Sequence, residues 1–281
     1  MYRGVPADEN TDAAGPRVSD PELRALDDAS AGAWIAPSLT GEFGAVTLAV
    51  PSGYEAYVRI FHPAQDGRGG VRRWSEIAHE TGRHAHRLMQ WHAIVGSSDP
   101  LNFMGSLCAE WEPERGNLDQ ASLAALCDLL AAHTANPEDC CFCMWEGWGE
   151  LHHEKRIGKH AWQTVAGVSQ QVQDALDRPR LRLPGRDYLL LAGSLRGALR
   201  LESWIGSSWR RPRSPNLFWP EDRAWCVASE IDFDSTLVGG AAGLVQAIVE
   251  SAELEAWAVE PDDSLADDAD EINVVPPPVE A

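Results

Sequence analysis

The stretch SPNLFWPEDRAWCVASEIDFDSTLVGG, residues 214–240, carries the densest pattern in this 281-residue chain. Residues 224–231 are mostly apolar and predict a buried β-strand. Acidic and hydroxyl side chains follow directly, and the pair Gly239-Gly240 then precedes an apolar-periodic segment at 241–250. This order predicts a strand, a polar strand end, and a glycine pair that opens a helix.

The neighbouring segments extend this pattern. A helix over 241–250 followed by a strand over 254–259 predicts a C-terminal strand–helix–strand unit, the one place where a parallel pair with a right-handed crossover is plausible. Upstream, residues 45–50 and 54–61 predict a β-hairpin across Pro51-Ser52-Gly53. A helix is predicted from Asp119 onward, because apolar residues recur there at helical spacing, and strands are predicted at 140–145 and 187–192.

Strands and helices do not alternate regularly along this chain. The order therefore favours an α+β fold over a doubly wound one. We expect a single domain over residues 32–260, with a mixed or mainly antiparallel sheet and helices packed on one side. Residues 1–31 and 261–281 are predicted to be flexible acidic tails, the second rich in proline.

The charge distribution supports that division. The formal net charge is −20, with 43 acidic and 23 basic residues. Residues 1–30 hold seven acids and three bases, and residues 259–281 hold eight acids and no base, so the remaining 28 acids and 20 bases leave −8. Such an acidic chain makes nucleic acid an unlikely partner, because phosphates would be repelled.

The location is expected to be cytoplasmic. No apolar run reaches membrane-spanning length, so no membrane partner is expected. The first residues lack the apolar core of a secretory signal. The six cysteines are then expected to be reduced thiols.

Residues 232–236, Asp-Phe-Asp-Ser-Thr, resemble the first motif of the haloacid dehalogenase superfamily, D-x-D-x-T. The resemblance implies that Asp232 is a nucleophile, that Asp234 is a general acid/base, and that both hold magnesium. Thr236 and the Gly239-Gly240 helix start would hold phosphate. That superfamily needs further strands with a lysine and an acidic pair, and the 45 residues after Thr236 contain no lysine. The alternative is that these side chains order a turn or cap a helix.

A metal site is considered at one further cluster. Cys140 and Cys143 precede His152 and His153, which are residue types that bind zinc. Neighbouring residues of a strand point to opposite faces, however, so cysteines packed together in an apolar strand rarely share a metal. No metal and no cofactor is expected, apart from magnesium if the phosphatase motif is functional.

One basic and aromatic segment stands out at 196–213. Trp204, Trp209, Arg210 and Arg211 are its core, and both residue types are enriched at interaction hot spots. The favoured interpretation is a solvated loop whose arginines pair with the acidic excess. An acidic protein partner comes second and nucleic acid third.

Residues 214–240 together with LEAWAVEPDDSLADDADEIN (254–273) also resemble the C-terminal region of conserved uncharacterised proteins of actinobacteria. This resemblance implies a bacterial cytoplasmic protein and no particular chemistry. Because a complete catalytic set is missing, the sequence favours a non-enzymatic protein-binding module, of which an inhibitor or immunity-type factor is one form. The alternative is a magnesium-dependent phosphohydrolase or nucleotide-binding enzyme that uses Asp232 and Asp234.

Overall fold

The computed structural model describes residues 23–42, 44–101, 106, 108–152, 154–156, 162–164, 169–205 and 209–275. The described helices are α1 (Val46–Ala49), α2 (Trp74–Glu80), α3 (Trp91–Ile94), α4 (Gln120–Ala131), α5 (Gln170–Leu176) and α6 (Ala242–Val249). Short 3-10 helices lie at Ser30–Gly32, Ala36–Ser38, Gly149–His152 and Leu195–Arg200.

The described strands follow in chain order. They are β1 (Arg24–Ala25), β2 (Ala56–Phe61), β3 (Ala64–Gln65), β4 (Val71–Arg72), β5 (Glu112–Pro113), β6 (Cys140–Trp145), β7 (Glu154–Arg156), β8 (Trp162–Thr164), β9 (Leu181–Leu183), β10 (Arg186–Gly193), β11 (Glu202–Ile205), β12 (Trp209–Pro212), β13 (Leu217–Pro220), β14 (Cys226–Ala228), β15 (Ser235–Gly240) and β16 (Ala256–Val259).

One large sheet organises the part of the chain that the structure describes. Its strand order is β1-β10-β6-β13-β14-β15-β2-β16, with β9 paired to β10, and every pairing is antiparallel. Smaller sheets are formed by β4-β3-β5, by β7-β8 and by β11-β12. The predicted α+β fold with a mainly antiparallel sheet is confirmed.

The large sheet is buried on both faces, because residues alternate along each strand. Phe142, Phe218 and Val238 point to one face, where helices α4, α5 and α6 cover them with Leu126, Val172 and Ile248 among others. Cys143, Leu217 and Leu237 point to the opposite face, which the segment before β2 covers with Ile35, Val46 and Val50. Helices α4, α5 and α6 therefore lie on one side of the sheet.

The helix predicted from Asp119 is α4, and its beginning follows from its sequence. The Asp119 carboxylate accepts hydrogen bonds from the N–H groups of Ala121 and Ser122 (3.0 and 3.1 Å), which caps the first turn. Leu123, Leu126 and Leu130 are buried on its inner face. The strands predicted at 140–145 and 187–192 are β6 and most of β10.

The C-terminal strand–helix–strand unit exists but differs from the predicted one. Its first strand is β15, so residues 235–240 are a strand where the sequence predicted a polar end and a helix start. Strands β15 and β16 both run antiparallel to β2, one on each side of it, and are therefore parallel to each other without being neighbours. The crossover through α6 thus spans β2.

Two further sequence predictions need correction. Residues 46–49 of the predicted hairpin form the single helical turn α1, and only the second arm is a strand, β2. The strand predicted over 224–231 is limited to β14, because Ser229 leaves the sheet and residues 230–233 form a turn. In both places burial of apolar side chains is achieved without an extended backbone.

Residues predicted to be a flexible C-terminal tail pack against the domain as far as the structure describes them. Leu265, Asp270 and Asn273 are buried, and the N–H of Val46 donates to the Asp263 carbonyl at 3.1 Å. Within the predicted N-terminal tail, β1 pairs with β10. Residues 1–22 and 276–281 lie outside the described residues, so those parts of the tail predictions stay predictions.

In the part of the chain that the structure describes, no helix has both the length and the apolar character needed to cross a membrane.

Candidate functional site

Strand β15 carries three of the residues singled out from the sequence, Thr236, Gly239 and Gly240, and it lies inside the sheet. Gly239 pairs with Tyr57 of β2 and with Cys226 of β14, and Gly240 pairs with Ala56. Helix α6 begins only at Ala242, so the glycine pair does not present helix N–H groups to an anion. The predicted phosphate cradle at Gly239 and Gly240 is therefore not formed.

Close packing explains the glycine at position 239. A Cβ atom there would lie 2.6 Å from Cδ2 of Tyr54, 2.9 Å from Cγ1 of Val50 and 3.0 Å from the Tyr57 ring. These distances are shorter than carbon–carbon contacts allow. The Tyr57 hydroxyl in turn donates to the Pro51 carbonyl at 3.1 Å, which holds the turn before β2. The glycine therefore serves the packing of this turn onto the sheet.

Asp232 and Asp234 lie in different surroundings. The Asp232 side chain is 70% exposed, and its carboxylate accepts a hydrogen bond from Arg186 at 2.6 Å. The Asp234 carboxylate is buried and faces the guanidinium of Arg59 at 3.5 Å, with side-chain exposures of 13% and 1%. The two carboxylates thus have separate cationic partners, and the arrangement required for a shared magnesium ion is not formed.

The electrostatics of the buried pair follow from its position. Burial raises the pKa of Asp234, and the nearby Arg59 opposes that shift. Burial likewise lowers the pKa of Arg59 to about 10, which still leaves it charged at neutral pH. Arg59 also donates to the Ser235 hydroxyl and to the carbonyl of Met89, at 2.9 and 3.0 Å. Its donors are used inside the domain.

Thr236 belongs to a buried hydrogen-bond chain on the other face of β15. Nδ1 of His62 lies 2.5 Å from the Glu114 carbonyl, which can only accept, so Nδ1 carries the proton. Nε2 then accepts from the Thr236 hydroxyl at 2.8 Å, and Thr236 accepts from Ser229 at 2.7 Å. Burial lowers the pKa of His62 to about 4, so this imidazole is neutral at physiological pH.

The side chains of this hydrogen-bond network are of the types found in a nucleophile–base pair, but they have no access to solvent. Ser229, Thr236 and His62 are each exposed by 1%. A nucleophile must reach its substrate, and each hydroxyl here already has a fixed partner. This hydrogen-bond network therefore stabilises the centre of the sheet.

The cysteine cluster also separates in the structure. Cys140 packs with Phe142 on the helix-covered face, whereas Cys143 packs with Leu217 on the opposite face. Burial raises the pKa of Cys140 to about 12 and that of Cys143 well above its usual value. Among the described residues, no three His, Cys, Asp or Glu side chains are grouped so as to hold a metal ion. His153 and the side chain of His152 lie outside what the structure describes.

The basic and aromatic segment forms the hairpin β11-β12, in which Trp204 pairs with Arg210 along the backbone. The side chains of Trp204, Trp209 and Arg210 lie outside the described residues. The Arg211 side chain pairs with Glu114 at 2.7 Å. Arg213 is 5% exposed and faces the same carboxylate, and Arg196 pairs with Asp128. The expected pairing of arginines with acidic residues occurs for these three, but the segment is a hairpin and not the solvated loop that the sequence favoured.

Residues within 216–217 and 228–233 of the 214–240 segment border a concave surface, which we call the Arg186 pocket. Its volume is about 330 Å³. Mainly apolar side chains form its wall, and charged ones stand at its rim. The lining includes Leu39, Leu48, Ala49, Leu183, Tyr188, Leu217, Phe233, Arg186, Glu230 and Asp232.

Several chain segments meet to build this pocket, and three of them have identifiable structural causes. The turn before β10 contains Gly185, whose φ of +77° lies in the left-handed region that glycine tolerates. The loop before β15 is held by the N–H of Asp232, which donates to the Glu230 side chain at 2.7 Å, and by the N–H of Gly116, which donates to the Phe233 carbonyl at 2.8 Å. Helix α1 closes the third side.

Charged groups at the rim are arranged around one guanidinium. Arg186 lies over the Trp145 ring at 5.6 Å and bonds to Glu230 at 3.1 Å as well as to Asp232. Below it, Asn216 accepts from the N–H of Trp145 and donates to the Ser229 carbonyl. The apolar wall is therefore framed by fixed polar groups, two acidic and one basic.

The sequence pattern identified Asp232. It did not identify Arg186, which pairs with Asp232, or the residues that hydrogen-bond to the polar side chains of β15. One signal was present: Arg59 and His62 interrupt the apolar strand sequence YVRIFH. Polar residues within a buried strand sequence need partners, so that pattern indicates an internal polar network. Nothing in the sequence near Arg186 indicates a contact with the loop 45 residues later.

No protein-family model, no curated protein and no solved structure matches this chain. Its site is therefore judged on geometry alone.

Proposed function

We propose that this protein is a non-enzymatic, cytoplasmic protein-binding module that receives an apolar side chain of its partner in the Arg186 pocket. The observation that carries the proposal is the pocket's construction, an apolar wall framed by charged groups. Apolar centres with polar rims are typical of interface hot spots, where a buried anchor side chain supplies most of the affinity. An inhibitor or immunity-type factor is one form of such a module.

The charges at the rim indicate the residue beside the anchor. Glu230 and Asp232 stand against the single cation Arg186, and the whole chain carries −20. A Lys or Arg next to the anchor would be attracted to this rim, whereas an acidic neighbour would be repelled. The expected partner therefore presents a bulky apolar residue flanked by a basic one.

The phosphohydrolase alternative gains no support from the same geometry. It requires Asp232 and Asp234 to converge on one ion and Thr236 to face a phosphate. Instead the carboxylates pair with different arginines, and Thr236 is buried against His62. The binding proposal needs none of these groups to be accessible except Asp232.

Selection from a random peptide library on the full-length protein tests the binding proposal. Selected peptides should share a bulky apolar residue beside Lys or Arg. Their affinity, measured by fluorescence anisotropy, should fall about tenfold or more in Ala49→Trp, which fills the pocket, and in Asp232→Arg, which reverses a rim charge.

The matched control is Ala242→Trp, which adds the same side chain at an exposed position of α6, remote from the pocket lining. This variant should bind as the wild type does. Peptides that bind Ala49→Trp and wild type equally well, or a selection without any pocket-dependent binder, would contradict the proposal.

A further inference from the structure

Strand β16 forms one end of the large sheet, and its outer edge has no partner strand among the residues that the structure describes. It pairs with β2 alone, through Ala256–Ile60, Trp257–Arg59, Ala258–Val58 and Val259–Tyr57. An unpaired edge exposes a row of N–H and C=O groups that can bind a further strand. The edge is therefore a potential docking surface.

The register shows which backbone groups face outward. The N–H of Phe61 donates to the Glu255 carbonyl at 2.8 Å, which makes these two residues a hydrogen-bonded pair. Hydrogen-bonded and non-bonded pairs alternate in antiparallel sheets, so Trp257 and Val259 bond to β2. The N–H and C=O groups of Ala256 and Ala258 then point away from β2, toward the open edge.

Within its four residues, β16 has none of the charged side chains or prolines that protect many edge strands. Protected edges carry inward-pointing charges, lysine or proline. The sequence of β16 is Ala-Trp-Ala-Val, with Ala258 exposed and Trp257 half-buried against Phe61. Small side chains at both outward-facing positions leave the backbone accessible to an incoming strand.

A groove of about 700 Å³ runs beside β16. Trp257 and Ala258 border it on one side, and residues 85–88 and 269–272 border it elsewhere. Hydrogen bonds fix that wall: His86 bonds to Asp270 at 2.8 Å, and Asn273 donates to the His84 carbonyl at 2.9 Å. Ile272 adds an apolar side chain that is 58% exposed.

Acidic residues dominate the charge of the groove. Its lining contains the three carboxylates Asp262, Asp263 and Glu271 against one guanidinium, Arg87, which pairs with Asp263 at 3.0 Å. Asp262 and Glu271 are exposed and have no ion-pair partner among the described residues. A segment with alternating basic side chains would match this lining.

Two other occupants fit less well. A second copy of the chain would bring the same acidic lining against itself, so like charges would oppose a paired edge. Residues 276–281, which follow in the sequence, include three prolines and a glutamate. The three prolines have no N–H group for strand pairing, and the segment carries no positive side chain.

We propose that the outer edge of β16 binds an extended segment of a partner protein, with Lys or Arg at alternate positions, as an additional strand of the sheet. Backbone hydrogen bonds to Ala256 and Ala258 supply the attachment, and the acidic groove selects the basic side chains. The proposal shares the idea of a protein partner with the pocket proposal, but it uses a different surface.

The test measures binding of a fluorescein-labelled peptide of alternating lysine and valine to the full-length protein by fluorescence anisotropy. Binding should weaken with increasing salt. It should fall about tenfold or more for the same peptide N-methylated at alternate residues, which removes the N–H donors of one edge. A peptide of alternating glutamate and valine should not bind.

Protein variants locate the contact. Ala258→Pro removes an outward N–H without breaking a bond to β2 and should abolish binding, whereas Ala258→Thr retains the N–H and should bind. The double change Asp262→Lys with Glu271→Lys should weaken binding, and Ala49→Trp should leave it unchanged. The last result separates this edge from the Arg186 pocket.

Equal binding of the N-methylated and unmodified peptides overturns the proposal, and so does the absence of binding to wild type. The peptide comparison remains decisive even if Ala258→Pro fails to fold. Sedimentation of the protein without peptide tests whether a second copy of the chain binds this edge. A dimer that Ala258→Pro dissociates would show that β16 pairs with itself instead.

Discussion

Strands β15 and β16 flank the same central strand, β2, yet they differ in what they leave available. Strand β15 holds Ser235 and Thr236, the last two residues of the motif that resembles a phosphatase site, and their hydroxyl groups are hydrogen-bonded to Arg59, His62 and Ser229. Strand β16 holds two alanines, a tryptophan and a valine, and its outer backbone is unpaired. Strand β16, whose sequence contains no recognisable motif, therefore exposes more unpaired backbone than β15 does.

Polar residue types therefore indicate a functional site only where their hydrogen-bond donors and acceptors are not already bonded within the protein. A buried polar group must be hydrogen-bonded, so a polar motif in a strand with neighbours on both sides is a structural network by default. An edge strand needs no special residues to bind, because the backbone itself is the recognition element.

The largest expected effect tests whether the polar groups of the central strands are structural. Replacing Arg59 by Met leaves the Asp234 carboxylate buried without its cation, which should lower the free energy of unfolding by about 3–5 kcal/mol. Urea denaturation measures this change. The control is Arg72→Met, whose partner Glu80 is 57% exposed, and which should cost about 0–1 kcal/mol. Equal losses in the two variants would contradict a structural role for the buried pair.

A pH effect of about 2 kcal/mol is expected from His62. Its pKa is about 4 in the folded protein against 6.5 for an ordinary histidine, so the unfolded chain takes up the proton first as pH falls. The stability that His62 contributes is therefore complete above about pH 6.5 and is lost toward about pH 4, by about 2 kcal/mol at pH 5. Urea denaturation at both ends of that range should show a smaller pH dependence in His62→Gln. Identical pH dependence would show that His62 is not buried and neutral.

Substitution of Gly239 tests how closely side chains pack around β15. Gly239→Ala should destabilise by about 1–3 kcal/mol, because the new methyl group meets Tyr54 and Val50. The control, Gly243→Ala, lies in helix α6 with only His133 within 4 Å of the added atom. It should stabilise by about 0.5–1 kcal/mol, since alanine favours the helix. Thermal unfolding of both variants should therefore shift in opposite directions.

The smallest effect concerns the motif that resembles a phosphatase. Asp232 is mostly exposed and bonds to Arg186 on the surface, so Asp232→Asn should change stability by less than about 1 kcal/mol. Magnesium-dependent phosphate release from p-nitrophenyl phosphate should be the same with wild type and variant. A magnesium-dependent activity that the substitution removes would restore the enzyme alternative.

Local sequence signals predicted the parts of the fold that depend on neighbouring residues. Apolar periodicity predicted α4, and the runs of apolar residues predicted β6 and β10. The prediction of a hairpin before β2 was wrong, because the apolar side chains of AVTLAV can be buried by a single helical turn as well as by a strand. Short apolar segments do not distinguish these two states by pattern alone.

The candidate site was less predictable, because its members are distant in the sequence. The contact of Arg186 with Asp232 spans 46 residues, and the contact of Arg59 with Ser235 spans 176. Only the first aspartate of the predicted pair lines the pocket. The glycine pair was assigned to a helix start, since a strand and a helix entrance both accept small residues.

The fold class, the predominance of acidic residues and the positions of the most regular elements follow from composition and local periodicity. Which donors and acceptors remain unpaired depends on how the strands are arranged in three dimensions. Strand order placed Ser235 and Thr236 of the D-x-D-x-T segment between two neighbouring strands and left Ala-Trp-Ala-Val at the edge. That order follows from long-range packing, which determines whether each donor and acceptor meets a partner or solvent.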